Sequence, residues 1–160
     1  MLTLRLRAGG ELTARVVALC LVFCSGLMQW QSPALAEDSW PMLAHDPARS
    51  GATSTEIRPP FERKWYCLFA DEGLMAGVQP IVAHGKVFVG TMAGALHALD
   101  DATGKDLWMC KTAGAILHAP AVAGDKVFFG NAEGKVYAVH VTDGRVAWAV
   151  QTSAAVWNSP

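Results

Sequence analysis

Pro80-Ile81-Val82-Ala83-His84-Gly85-Lys86-Val87-Phe88-Val89-Gly90 is followed forty residues later by Pro120-Ala121-Val122-Ala123-Gly124-Asp125-Lys126-Val127-Phe128-Phe129-Gly130, and this pair of stretches decides the fold. Laid over one another without a gap, residues 80–119 and 120–159 are identical at 13 of 40 positions. The matches include Pro80/Pro120, Lys86/Lys126, Phe88/Phe128, Gly90/Gly130, Gly94/Gly134, Ala98/Ala138, Gly104/Gly144 and Trp108/Trp148. These are turn formers, small residues and large aromatics, residues that shape a backbone rather than fill a surface. A period of this length points to repeated four-stranded units.

Within one unit the strand signals are short and bounded by turn chemistry. Residues 78–83 read as a first strand, His84-Gly85 as a tight turn and residues 86–91 as a second strand. Met92-Ala93-Gly94 makes the next reversal, and residues 95–99 and 106–110 supply the third and fourth strands around a turn at 100–105. The second copy repeats the plan with Gly124-Asp125, residues 131–134 and Asp143-Gly144 at its turns. Asn, Asp and Gly suit such turns because they tolerate positive φ at little steric cost.

Strands of about five residues do not make a stable unit alone, and a four-stranded sheet must bury its faces against neighbours. Radial stacking of such sheets is one solution. The expectation is an all-β chain forming a partial β-propeller of antiparallel four-stranded blades, with repeat 1 at residues 80–119, repeat 2 at 120–159, and Pro160 in the register of a third. Residues 37–60, with four prolines and a polar Ser/Thr/Gly run, read as an extended lead-in. Residues 61–79 read as the outer strand of a preceding blade plus an insertion: Trp65 lies 15 residues before Pro80, against 12 from Trp108 to Pro120.

The segment Ala98-Leu99-Asp100-Asp101-Ala102-Thr103-Gly104-Lys105-Asp106-Leu107-Trp108 resembles the A-x-D-x-x-T-G-x-x-x-W tryptophan-docking pattern of pyrroloquinoline quinone (PQQ) repeat proteins at every fixed position. The second copy keeps Ala138, Gly144 and Trp148 but carries His140 for Asp and Asp143 for Thr. Trp40-Pro41 through His45-Asp46, Arg49 and Gly51 is similar to the W-P-x-x-x-H-D-x-x-R-x-G opening of exported members of this superfamily. Chemically, Asp100 can accept from the Thr103 hydroxyl and nearby amides, Gly104 lets the chain reverse, and Ala98 is small enough to admit a ring. Trp108 offers a large apolar face and one N–H donor. The resemblance implies that Trp108 and Trp148 dock across blade boundaries. It also implies a propeller closed by more blades than this sequence holds, hence a truncated reading frame or partial sequence whose missing blades are its first partners.

Arg5, Arg7 and Arg15 precede an apolar run of 13 residues from Val16 to Met28, and Ala34-Leu35-Ala36 follows. That order reads as a secretory signal over residues 1–36, since a membrane span needs roughly 20 apolar residues. The remainder, losing three arginines and one glutamate, has a net charge of −3. Neither nucleic acid nor a transmembrane span is expected as a partner of the mature chain. The expected location is exported, periplasmic or extracellular.

No set of His, Cys and acidic residues shows metal-ligand spacing, so His45, His84, His97, His118 and His140 all read as ordinary structural residues. Cys67 and Cys110 fall two residues after equivalent tryptophans. Adjacent sheets stand about 10 Å apart while a disulfide needs Cα atoms within roughly 7 Å, so buried free thiols are expected. With no catalytic residue or metal ligand in view and no cofactor predicted, the favoured function is a noncatalytic scaffold or protein-binding module acting with envelope proteins. The alternative is a truncated quinoprotein dehydrogenase holding PQQ and calcium and oxidising alcohols or sugars, an enzyme class that draws its contacts from many blades.

Overall fold

The computed structural model describes residues 39–56, 58–76 and 78–160. The secretory signal read at residues 1–36 lies outside them. Among the described residues there is no helix; eight strands form two four-stranded antiparallel sheets. Blade 1 comprises β1 (Ile81–Ala83), β2 (Lys86–Gly90), β3 (Ala95–Asp100) and β4 (Asp106–Lys111). Blade 2 comprises β5 (Ala121–Ala123), β6 (Lys126–Gly130), β7 (Lys135–His140) and β8 (Val146–Gln151). Each sheet runs in simple sequence order, the meander that short hairpin turns allow.

β1 and β5 are shorter than the apolar pattern suggests, beginning one residue after Pro80 and Pro120. Proline has no N–H to give a ladder, so pairing starts only beyond it. Residues 61–68, where the outer strand of a preceding blade is expected, form no ladder with any described strand. A strand exists only by pairing, and no described inner strand lies beside this segment.

Both blades carry the same irregularity. The register slips between Ala98 and Leu99 in β3 and between Ala138 and Val139 in β7, each opposite the outer strand. One extra residue on β4 and on β8 bulges out directly before Trp108 and Trp148, the kind of local kink that re-aims a side chain.

The core lies between the sheets. Phe88, Leu96, Ala98 and Cys110 of blade 1 pack with Val122, Val127, Phe129 and Val139 of blade 2, joined by Ile116 and Ala119 from the connection. Burying a side chain such as Phe88 or Phe129 stabilises by about 1.5–3 kcal/mol relative to exposure. Because side chains alternate along a strand, Leu96 and Ala98 face blade 2 while His97 and Leu99 face the other way. All four are nonetheless buried. On the far side the 65–73 segment covers blade 1, with Phe69 edge-on to His97 at 5.0 Å.

The lead-in reaches the innermost strands. Trp40 exchanges backbone hydrogen bonds with Val82 at 2.6 and 2.9 Å, and the Pro41 carbonyl accepts from the Val122 N–H at 2.7 Å. Consecutive residues thus tie β1 to β5, and Trp40 and Leu43 pack on the shared core. At the opposite turns, a His84 ring nitrogen sits 2.9 Å from the Gly124 carbonyl oxygen, exactly one repeat length away in sequence.

Candidate functional site

The chemically distinctive sites of this chain are sockets in which an indole from one segment rests on a turn of the next sheet. Trp108 leaves β4 beside its bulge, opposite Ala98 and 5.8 Å from the Phe88 ring. Its indole N–H donates to the Val141 carbonyl of blade 2 at 3.0 Å. The ring lies over Gly144, where any Cβ would overlap the indole carbons and where φ is +70°. Both conditions select glycine.

Trp65 repeats this arrangement one blade earlier. Its N–H donates to the Asp101 carbonyl at 2.8 Å, and its ring lies over Gly104 at φ +72°. The turn beneath is built by Asp100, whose Oδ1 accepts the Thr103 N–H at 2.8 Å and the Thr103 hydroxyl at 2.7 Å. Those two bonds favour the ionised carboxyl and hold it below its ordinary value.

In blade 2 the side-chain half of that turn is absent. His140 replaces Asp, and Asp143 instead accepts from the Arg145 backbone at 3.0 Å and its guanidinium at 2.7 Å. The backbone half persists: the Gly144 N–H donates to His140 at 2.9 Å, as that of Gly104 does to Asp100 at 2.8 Å. A turn socket therefore survives loss of the Asp/Thr pair.

Trp148 stands apart from the other two. It pairs with buried Ala138 and tilts against Phe128 at 6.0 Å, yet is 42% exposed. Its indole N–H has no acceptor among the described residues, because no described sheet follows β8. Val150, on the same face by strand alternation, is also exposed.

Of the sequence's candidate residues, the structure brings Ala98, Trp108 and Gly144 to one junction and Asp100, Thr103 and Gly104 to the other. Ala138 and Trp148 lie together on the open face. The cysteines are both free, Cys110 buried and Cys67 exposed. Buried thiols were expected at both; Cys67 is exposed because its segment has no strand partners to enclose it. Burial raises the Cys110 thiol above its usual value, which keeps it protonated. Among the described residues no three His, Cys, Asp or Glu side chains converge on a point that a metal could occupy.

One site escaped the sequence reading. His97, taken there as an ordinary strand residue, is buried with Asp106 Oδ2 2.9 Å from Nδ1 and Glu72 Oε2 3.1 Å from Nε2. Glu72 also accepts the hydroxyl of buried Thr91 at 2.8 Å. That bond above all holds the Glu72 carboxyl below its ordinary value, against an opposing desolvation; His97, through its hydrogen bond and charge, and Lys111 assist.

Stacked four-stranded blades linked by indole-on-glycine contacts at a forty-residue period define a PQQ-like repeat β-propeller protein. The chain belongs to the family described as outer membrane protein assembly factor BamB, whose model matches residues 24–159. No curated protein sequence matches the chain.

Among solved structures, the quinohemoprotein alcohol dehydrogenase from Comamonas testosteroni is similar at 17% identity and TM-score 0.57, covering 71% of this chain and 19% of that one. That likeness is one of fold. BamB from Moraxella catarrhalis matches at 29% identity and TM-score 0.41, covering 42% of this chain and 21% of that one. A europium-containing methanol dehydrogenase matches at 35% identity and TM-score 0.44, covering 48% and 15% respectively. The chain thus spans about a fifth or less of the length of these structures.

Proposed function

We propose that this chain is an exported, noncatalytic scaffold that works by presenting blade faces to protein partners, the first of them further blades of its own kind. The observation that carries the reading is the contrast among three equivalent tryptophans. Trp65 and Trp108 each lie over a glycine turn, while Trp148 lies exposed on the same face as exposed Val150. An apolar patch with an unpaired indole donor fits a neighbouring sheet that supplies a glycine turn and a free carbonyl. Membership of a family described by an outer membrane assembly factor supports the same reading and an envelope location. No described helix is long and apolar enough to cross a membrane.

The test places a photo-crosslinking residue at Val150 of the full chain in envelope extract. The expected result is a discrete protein adduct that disappears with Trp148→Ala. Absence of any adduct, or one indifferent to Trp148, counts against the reading.

A quinone enzyme would require PQQ and calcium. Among the described residues no group of three His, Cys, Asp or Glu side chains is placed to hold a cation. Dye reduction by the chain after reconstitution with PQQ and calcium would overturn the noncatalytic reading.

A further inference from the structure

The indole contacts do not distinguish one junction from another. Trp65 and Trp108 reach their carbonyls at 2.8 and 3.0 Å, and each covers a glycine at nearly the same φ. A chain with three such tryptophans and two such glycines needs some other feature to assign each segment to its blade. Blade 1 has one.

On the face of blade 1 turned from blade 2, His97 is clamped between Asp106 and Glu72, and Thr91 donates to the same Glu72 oxygen. Each ring nitrogen thus faces a carboxylate oxygen, and the imidazole bridges the two acids. Asp106 belongs to blade 1 itself, whereas Glu72 arrives on the 61–73 segment. Backbone bonds set the register of arrival: the Met92 and Ala93 N–H groups donate to the carbonyls of Gly73 and Glu72, both at 3.0 Å.

At the blade 1–blade 2 junction the same register holds with other residues. The Ala132 N–H donates to Ala115 at 2.8 Å, which puts Gly114 at the position of Glu72. A Cβ on Gly114 would stand 2.9 Å from the Glu133 backbone nitrogen, so no side chain fits. Opposite it, Asn131, Tyr137 and Val146 replace Thr91, His97 and Asp106. Tyr137 stacks on Phe129 at 5.1 Å, an apolar surface. Asn131 caps its turn through Oδ1, as Thr91 does through its hydroxyl, but its buried Nδ2 has no partner. The carboxylate that would occupy this position in blade 1 has no counterpart here.

We infer that Thr91, His97 and Asp106 form a polar docking site on blade 1 whose ligand is the Glu72 carboxylate, and that this site, not the indole, assigns the 61–73 segment to blade 1. Laid on blade 1, the Trp108 segment would bring Gly114 in place of the carboxylate and leave the Thr91 hydroxyl and His97 Nε2 without that partner. Laid on blade 2, the Trp65 segment would set Glu72 against a stacked Tyr/Phe pair. Polar groups left without partners away from water penalise both errors, which makes the site a register device. The inference stands whether or not the scaffold reading does.

Amide hydrogen exchange in the full chain tests it. Glu72→Ala and His97→Tyr, which installs the blade 2 residue, are each expected to speed exchange of Met92 and Ala93 by about tenfold, the scale of a lost charge-assisted contact. The double variant should be no faster than either single one, and the Ala132 amide should not change. Supplied in trans to the Glu72→Ala chain, a synthetic peptide of residues 61–73 should restore protection, and a peptide of residues 104–116 should not. Unchanged Met92 and Ala93 in Glu72→Ala, equal acceleration at Ala132, or equal protection by both peptides would each overturn the inference.

Discussion

Blade 1 meets the 61–73 segment on one face and blade 2 on the other. At each junction an indole N–H finds a backbone carbonyl over a glycine turn. Around Trp108 the surroundings are apolar, with Phe88, Leu96 and Cys110 meeting Val127, Phe129 and Val139. Around Trp65 they are polar and ionic, with Glu72, His97, Asp106 and Thr91 under Phe69. The two blades, each a full sheet, are held chiefly by buried area, which is strong but non-directional. A single segment with little area to bury is held by groups that also specify where it sits. One repeat motif thus serves two purposes according to what surrounds it.

The sharpest way to break this comparison is to remove the indoles one at a time. Trp108→Ala should cost about 3 kcal/mol in urea denaturation, the lower end for loss of a large core aromatic because the ring is only partly buried. Trp148→Ala, on the open face, should cost no more than about 1 kcal/mol. Equal effects would mean that the blade 1–blade 2 junction owes nothing to its indole.

The turn glycines give a smaller separation. Gly144→Ala should lower global stability by about 2 kcal/mol, from a Cβ in left-handed backbone and displacement of the ring above it. Gly104→Ala meets the same local strain, but its consequence should be release of the 61–73 segment, read as faster exchange at Met92 and Ala93 while Ala132 stays protected. If Gly104→Ala exposes Ala132 as readily, the two junctions form one cooperative unit.

Acid should separate them next. The Glu72 carboxyl is held below the ordinary value of 4.5, with the Thr91 hydroxyl as the main cause. A depressed carboxyl contributes stability that is complete above the unfolded value and is lost as pH falls through the folded one. Titration below pH 4.5 is therefore expected to unprotect Met92 and Ala93 before Ala132, whose junction is crossed by no carboxylate hydrogen bond among the described residues. Asp106 and Lys111 also face this cluster, so the Glu72→Ala chain is the control, in which the acid step should vanish.

The smallest effect concerns the turn itself. Thr103→Ala should let the Asp100 carboxyl rise toward the ordinary value of 3.8, measured by NMR titration, because the hydroxyl is the first cause of its depression. Exchange at Gly104 should hardly change, since blade 2 keeps the equivalent backbone bond without the Asp/Thr pair. A large loss of protection at Gly104 would show that the side chains, rather than the glycine, close the turn.

Strand number, order and turns were legible because they recur: a hairpin must place glycine or Asn/Asp at fixed offsets, and the second copy repeats those offsets. Phe88, Ala98 and Trp108 stood out because each recurs forty residues on. Cys67 was misjudged because its equivalence to Cys110 in sequence carries no information about whether inner strands are present to cover it. The partners of His97 went unseen for the opposite reason. Its counterpart Tyr137 is an ordinary aromatic, and the comparison that revealed the fold hid a position where the copies differ in chemistry.

The sequence alone determined that two stretches of forty residues are copies of one antiparallel sheet, since local turn sterics and strand alternation act over a few residues and leave a periodic trace. Only the tertiary structure decided that Glu72 meets His97 across 25 residues of chain and that Trp108 is covered while Trp148 is not. Contacts between separate segments depend on how sheets stack and which residues end up in register. No local pattern encodes that.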